Sequence, residues 1–154
     1  MKEHTVSTAS ADFTPVFKAL AFSADRHRDQ RRKGSEASPY INHLIDVAER
    51  LWVTGGVRDI PTIAAAILHD TVEDTGTTGE ELAAAFGEGI SAVVMELTDD
   101  KSLPDDERKR RQVEHAAGLS FPARLIKIAD KSSNIADIMT SPPVGWSAGR
   151  RRRY

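Results

Sequence analysis

What most constrains this chain is periodicity: its apolar residues recur at three- and four-residue spacing in segment after segment, and no stretch alternates. Residues 11–29 carry Phe13, Val16, Phe17, Leu20, Ala21 and Ala24 at that spacing, and residues 41–54 carry Leu44, Ile45, Val47, Ala48 and Leu51. Punctuation agrees with the period. Gly55-Gly56 closes the second segment, and Asp59 with Pro61 opens a third that runs through Leu68. Thr78 and Glu81 have the spacing of a capping box, which starts a short helix over 81–86 that Gly87 stops. Further helices are predicted over 90–97, from Pro104 to Ala117, and over 122–139, the last closed by Ser141-Pro142-Pro143. Helices without strands predict an all-α bundle. It occupies residues 11–154, after a polar, flexible tail over 1–10, and residues 31–40 form a basic, irregular loop.

Composition narrows the function classes. A chain of 154 residues fits one domain with a real core. There are no cysteines, which removes disulfides, thiolate metal sites and cysteine nucleophiles. A formal net charge of -2 gives no general attraction to nucleic acid or membrane, so Arg150–Arg153 and K109-R-R111 are a weak basis for a nucleic-acid role. No apolar run approaches the roughly 18 residues of a spanning helix, and the polar start lacks a signal-peptide core. The expectation is a cytoplasmic protein.

The chemistry gathers where the apolar run 64–68 ends. His69-Asp70 follows at once, then Glu73-Asp74 within a turn; on a helix 69 and 73, and 70 and 74, lie four apart. Such groups beside an apolar interior are costly unless hydrogen-bonded or bound to a cation, although a solvated helix end is the competing reading. Two other segments offer inward groups. His43 shares a helix face with Val47, and Asp130 interrupts the apolar stretch 125–129 with Asn134 one turn beyond. Two imidazoles and two carboxylates suit a divalent ion of intermediate hardness, manganese or iron, that activates water beside phosphate. Glu73 and Asp74 would orient or deprotonate that water and protonate the leaving oxygen. The triplet R31-R-K33 offers cations for a charged substrate. His27 reads as a partly buried supporting group, His4 and His115 as surface, and Trp52 and Trp146 as packing residues, with Trp146 able to brace the site.

The order H43…H69-D70…D130 resembles the HD phosphohydrolase superfamily. Three stretches, R31-R-K…P-Y-I-N-H43, L68-H-D-T-V-E-D-T75 and I128-A-D-K-S-S-N134, resemble the guanosine tetraphosphate hydrolase domain of SpoT/RelA proteins, in the small stand-alone branch typified by the metazoan SpoT homologue. E96-L-T-D-D-K-S-L-P104, E107-R-K-R-R-Q-V113 and G145-W-S147 extend the likeness. The resemblance implies that His43, His69, Asp70 and Asp130 hold one divalent ion, usually Mn²⁺. It also implies that Glu73 and Asp74 are the catalytic pair, that Arg32 and Lys33 contact phosphate, and that Asn134, Arg150 and Tyr154 lie beside the nucleotide. The implied reaction removes the 3′-pyrophosphate of ppGpp or pppGpp, leaving GDP or GTP. The branch is also associated with NADPH phosphatase activity, so NADPH stays open as a substrate. The other readings are a phosphatase of nucleoside monophosphates and a catalytically silent nucleotide-binding module, which a missing ligand or acidic residue would favour. Two departures stand out. The helix that the family starts near Gly145-Trp146-Ser147 has room here for at most about two turns and carries four arginines, predicting a shortened C-terminal helix and a more open site. Lys131-Ser132-Ser133 is also less apolar than in many relatives.

Overall fold

A computed structural model describes residues 11–152; the tail over 1–10 and Tyr154 lie outside the described residues. The described chain is helical: α1 (Thr14–Arg26), α2 (Ile41–Glu49), α3 (Ile60–Leu68), α4 (Thr71–Asp74), α5 (Gly79–Phe86), α6 (Glu88–Leu97), α7 (Asp105–His115), α8 (Phe121–Thr140) and α9 (Ala148–Arg152). A π turn, Arg50–Thr54, continues α2, and a 3₁₀ turn, Ala116–Gly118, follows α7. Among the described residues no strand forms. Two isolated bridges, Arg31 with Pro39 and Gly34 with Pro143, are the extended pairings among the described residues.

The core is organised around α3. Its residues Thr62 to Leu68 are all buried, and it packs against α1, α2, α6 and α8. A helix enclosed on every side needs no polar face, and the run from Ile63 to Leu68 supplies none. Its start is fixed by Asp59, whose carboxylate accepts from the Thr62 N–H at 3.0 Å. The Thr78/Glu81 capping box forms with both of its bonds, and Gly87, at φ +89°, ends α5 and begins α6.

The apolar stripe expected on α1 is rotated. Ala19 and Ser23 are the fully buried positions, with Val16, Leu20 and Phe22 beside them, whereas Phe17 is 68% exposed and Ala21 and Ala24 face solvent. The reason lies in α3, where Ala64, Ala65 and Ala66 leave room for a close approach that small residues fit best. The Ser23 hydroxyl also donates to the Ile67 carbonyl at 2.9 Å, near the end of α3. Ile45 on α2 is likewise exposed. α7 buries none of its residues; its Glu107 carboxylate pairs with Arg110 and Arg111 along a solvated face. On α8, Ile128, Ile135 and Met139 stand exposed along the outer side.

Candidate active site

The site grows out of the end of α3. The last carbonyls of a helix have no intrahelical partner, and here three in succession are met by side chains. His69 Nδ1 donates to the Ala66 carbonyl at 2.7 Å, Ser23 to Ile67, and Thr71 Oγ1 to Leu68 at 2.6 Å. The backbone turns at His69-Asp70 and resumes as the single turn α4, so His69-Asp70 lie in the turn and Glu73-Asp74 on α4 rather than all four on one continuous helix. Because Nδ1 of His69 is committed to Ala66, Nε2 is the nitrogen left to face the interior of the site, where it offers a lone pair to a cation once its proton is displaced.

His43 from α2 and Asp130 from α8 complete the arrangement. Ligand-capable atoms of His43, His69 and Asp130 all lie within 4.8 Å of one another. His43 Nε2 is 3.1 Å from Asp130 Oδ1 and 3.8 Å from Asp70 Oδ2, and His69 Nε2 is 3.2 Å from Asp70 Oδ2 and 3.7 Å from Asp130 Oδ1. His69 Nε2 is fully buried yet makes no hydrogen bond. A buried nitrogen left without a partner, facing two carboxylates and a second imidazole, is what a cation site looks like in its donor set, so the residues present fit a divalent ion. All four residues expected as ligands are thus brought together.

The surroundings hold these groups in place. His43 Nδ1 bonds Ser133 Oγ at 3.0 Å, which turns the imidazole so that Nε2 points at Asp130. The Tyr40 hydroxyl donates to Asp70 Oδ2 at 2.7 Å; burial and the Asp70 charge push that hydroxyl far above the usual phenol range, so it remains a donor. Burial works to raise the Asp130 carboxyl, but His43 and His69 outweigh it and hold the group far below the usual carboxylate range. Burial opposes protonation of His69, but Asp70, Asp130 and the Ala66 carbonyl together raise its pKa to about 9.

The acidic pair divides. Burial raises the Glu73 carboxyl, although it accepts from the Asp99 N–H at 3.2 Å. Asp74 is buried to a similar degree, but hydrogen bonds from Lys101 and from Gln30 (2.7 Å) bring it below the usual range. Arg32 donates from Nε to Asp137 at 3.0 Å and from the guanidinium to Asn134 Oδ1 at 2.8 Å, and Asn134 donates to Asp130 Oδ1 at 2.7 Å. A polar chain therefore runs from the basic loop to the buried carboxylate. Lys33 is exposed at the rim. Arg150 stacks over the Trp146 ring at 4.4 Å, and Trp146 lines the same cleft.

That cleft, of about 960 Å³, opens over His69, Asp70, Glu73, Asp74 and Asp130. Its walls carry Arg32, Lys33, Lys101, Arg108, Lys109 and Lys127. Sequence reasoning missed the last four as site residues, and it missed Tyr40, Ser133 and Gln30. Ser133, three residues past Asp130 on the same helix, had a signal in its spacing; Lys101, in a loop, had none beyond its place in the stretch 96–104 that extends the family likeness. His27, expected as partly buried, is in fact 2% exposed, and His115 lies at the surface.

The family profile described as HD domain matches residues 19–145. The chain is 50% identical over 139 residues to the guanosine-3′,5′-bis(diphosphate) 3′-pyrophosphohydrolase of Danio rerio, covering 90% of this chain and 77% of that one. The Homo sapiens enzyme of the same description is 49% identical over 139 residues, covering 90% and 78%. Among solved structures, a metazoan orthologue of SpoT described as hydrolysing ppGpp superposes with a TM-score of 0.90 at 42% identity, over 95% of this chain and 82% of that one. A profile match across most of the chain, a donor cluster at the end of α3 and relatives near half identity agree: this chain belongs to the HD-domain family, in the small stand-alone branch of the SpoT/RelA-type hydrolases.

Proposed function

We infer that this chain is a metal-dependent 3′-pyrophosphohydrolase of guanosine alarmones, converting ppGpp or pppGpp and water to GDP or GTP and pyrophosphate. The observation that carries the reading is a cation-suited donor cluster on the floor of a cleft whose walls are lined with arginine and lysine. A nucleotide with phosphates at two positions needs that many cationic groups, and a neutral substrate does not.

His43, His69, Asp70 and Asp130 would hold one divalent ion, Mn²⁺ in our reading. When bound, such an ion lowers the pKa of water and offsets charge on phosphate oxygens. In the reaction, water oxygen adds to the phosphorus attached to the 3′ oxygen, the bond to that oxygen breaks, and the leaving oxygen takes up a proton. Asp74, kept ionised by Lys101 and Gln30, suits acceptance of the proton from water. Glu73, raised by burial, suits its donation to the leaving oxygen. Arg32, fixed by Asp137 and Asn134, and Lys33 at the rim meet the phosphates. Arg150, stacked on the cleft-lining Trp146, would reach the nucleotide, a role the reading also gives to Tyr154. No described helix is long and apolar enough to cross a membrane.

The test is to incubate the Mn²⁺-loaded protein separately with ppGpp, NADPH and dAMP and to resolve the products. GDP plus pyrophosphate from ppGpp is the expected result. Turnover of NADPH or dAMP to inorganic phosphate with ppGpp untouched would overturn it.

A further inference from the structure

Behind the acidic pair, Gln30 is itself backed by a residue that the reaction as described does not use. His27, just past α1, is buried, and its Nδ1 lies 2.6 Å from Gln30 Oε1. The other end of the same amide, Gln30 Nε2, lies 2.7 Å from Asp74 Oδ2. The His27 ring stacks on Tyr40 at 5.1 Å, and Tyr40 donates to Asp70. His27 Nε2 is buried and makes no hydrogen bond.

The chemistry of an amide makes this chain directional. Its oxygen only accepts and its nitrogen only donates. With the nitrogen toward Asp74, the oxygen must face His27, and His27 must then carry a proton on Nδ1. Turning the amide over would set its oxygen against the Asp74 carboxylate, which only a protonated Asp74 tolerates. The tautomer of a buried imidazole is thereby tied to the ionisation state of a carboxylate two hydrogen bonds away.

We propose that Gln30, locked in one orientation by His27, is a positioning residue for the hydrolysis, holding Asp74 at a fixed angle to the cleft. The inference rests on the reading of Asp74 as one of the acidic pair. Other groups surround Asp74. Lys101 bonds it from the loop between α6 and α7, Glu73 precedes it on α4, and His27, just past α1, and the neutral Tyr40 hydroxyl, before α2, lie within its electrostatic reach. Lys101 is about half exposed, whereas Gln30 is half-buried and held at its far end by the buried His27, so the amide rather than the lysine fixes direction.

The experiment compares Gln30→Met, which keeps the length but removes both bonds, with the parent enzyme loaded with Mn²⁺ and given ppGpp. Expected is a fall in kcat of roughly 10- to 100-fold, the usual scale for groups that orient a reacting residue, with KM, metal content and melting temperature unchanged. In an Asp74→Asn background the same substitution should cost nothing further, because the group it positions is gone. An unchanged kcat, or an equal loss in both backgrounds, overturns the proposal, as does a loss that appears only as raised KM and lowered melting temperature. Should Gln30→Met not fold, the intact protein decides. ¹⁵N NMR of the histidine rings, with Zn²⁺ as a diamagnetic ion, should find His27 protonated on Nδ1, and a ring protonated only on Nε2 overturns the chain of bonds. Normal turnover by Asp74→Asn alone would instead remove the acidic-pair reading on which this one rests.

Discussion

Loading the site with metal should displace a proton, and the structure says from where. In the metal-free protein His69 is raised from an ordinary 6.5 to about 9, working against its own burial, by Asp70 and Asp130. A metal ligand must offer a lone pair, so an ion binding at Nε2 competes with that proton. At pH 7.5 His69 is almost fully protonated, and uptake should release close to one proton from this residue. Between pH 9 and pH 7 the apparent affinity should fall roughly fiftyfold, approaching tenfold per unit at the lower end. The stability of the metal-free protein should move the opposite way. A raised folded-state pKa means the imidazolium–carboxylate attraction is fully present below about pH 6.5 and is lost as pH climbs through 9, for a total of at most about 3 kcal/mol. Calorimetric titration with Mn²⁺, run anaerobically in two buffers of different ionisation enthalpy at pH 7.5 and 9, measures the proton count. Urea unfolding of the metal-free protein over the same range measures the stability. No proton released at pH 7.5, or an affinity flat from pH 7 to 9, would refute the argument.

His69→Ala and Asp130→Ala should each lose bound metal while remaining folded, and metal analysis of purified protein with circular dichroism checks this; full occupancy in Asp130→Ala would remove that residue from the ligand set. Glu73→Ala and Asp74→Ala should retain the metal but turn over about 10²- to 10⁴-fold more slowly. Near-normal rates in both would return them to a solvated helix end. Arg32→Lys should raise KM for ppGpp by roughly tenfold or more with metal content intact. A lysine cannot span Asp137 and Asn134 as the guanidinium does, and an unchanged KM would show that Arg32 is an internal brace only.

Much of the candidate site was legible because its residues are anomalies against a strong background. His43, His69 and Asp130 stand out where the three- and four-residue period calls for apolar side chains, and Asp59, Thr78 and Gly87 mark their boundaries by local chemistry alone. What stayed hidden depends on contacts that no local pattern encodes. The buried face of α1 was misjudged because Phe17 scores as apolar while Ala19 and Ser23 look neutral; only proximity to an alanine-rich α3 makes small residues the right ones. Lys101 reaches Asp74 from a loop 27 residues away in sequence. Lys109 reads as part of a solvated basic run, and it does lie on an exposed helix, but that helix is one wall of the cleft.

Gly34 has a consequence for the order in which this enzyme comes into being. A Cβ at that position would lie 2.7 Å from the Ser141 carbonyl oxygen, so the basic loop touches the segment after α8 backbone to backbone. The same two regions are tied by the bridge to Pro143 and by Arg32 to Asp137, residues 105 apart in sequence. Loop closure over such separations is entropically costly and slow compared with local helix formation. During synthesis, therefore, α1 to α6 can pack around α3 while the cleft has only one side, and neither the metal donors nor the phosphate wall is complete until α8 has emerged and docked. A nascent or truncated chain lacking α8 should be largely helical, with its central helix already covered in part, and hold neither ion nor nucleotide.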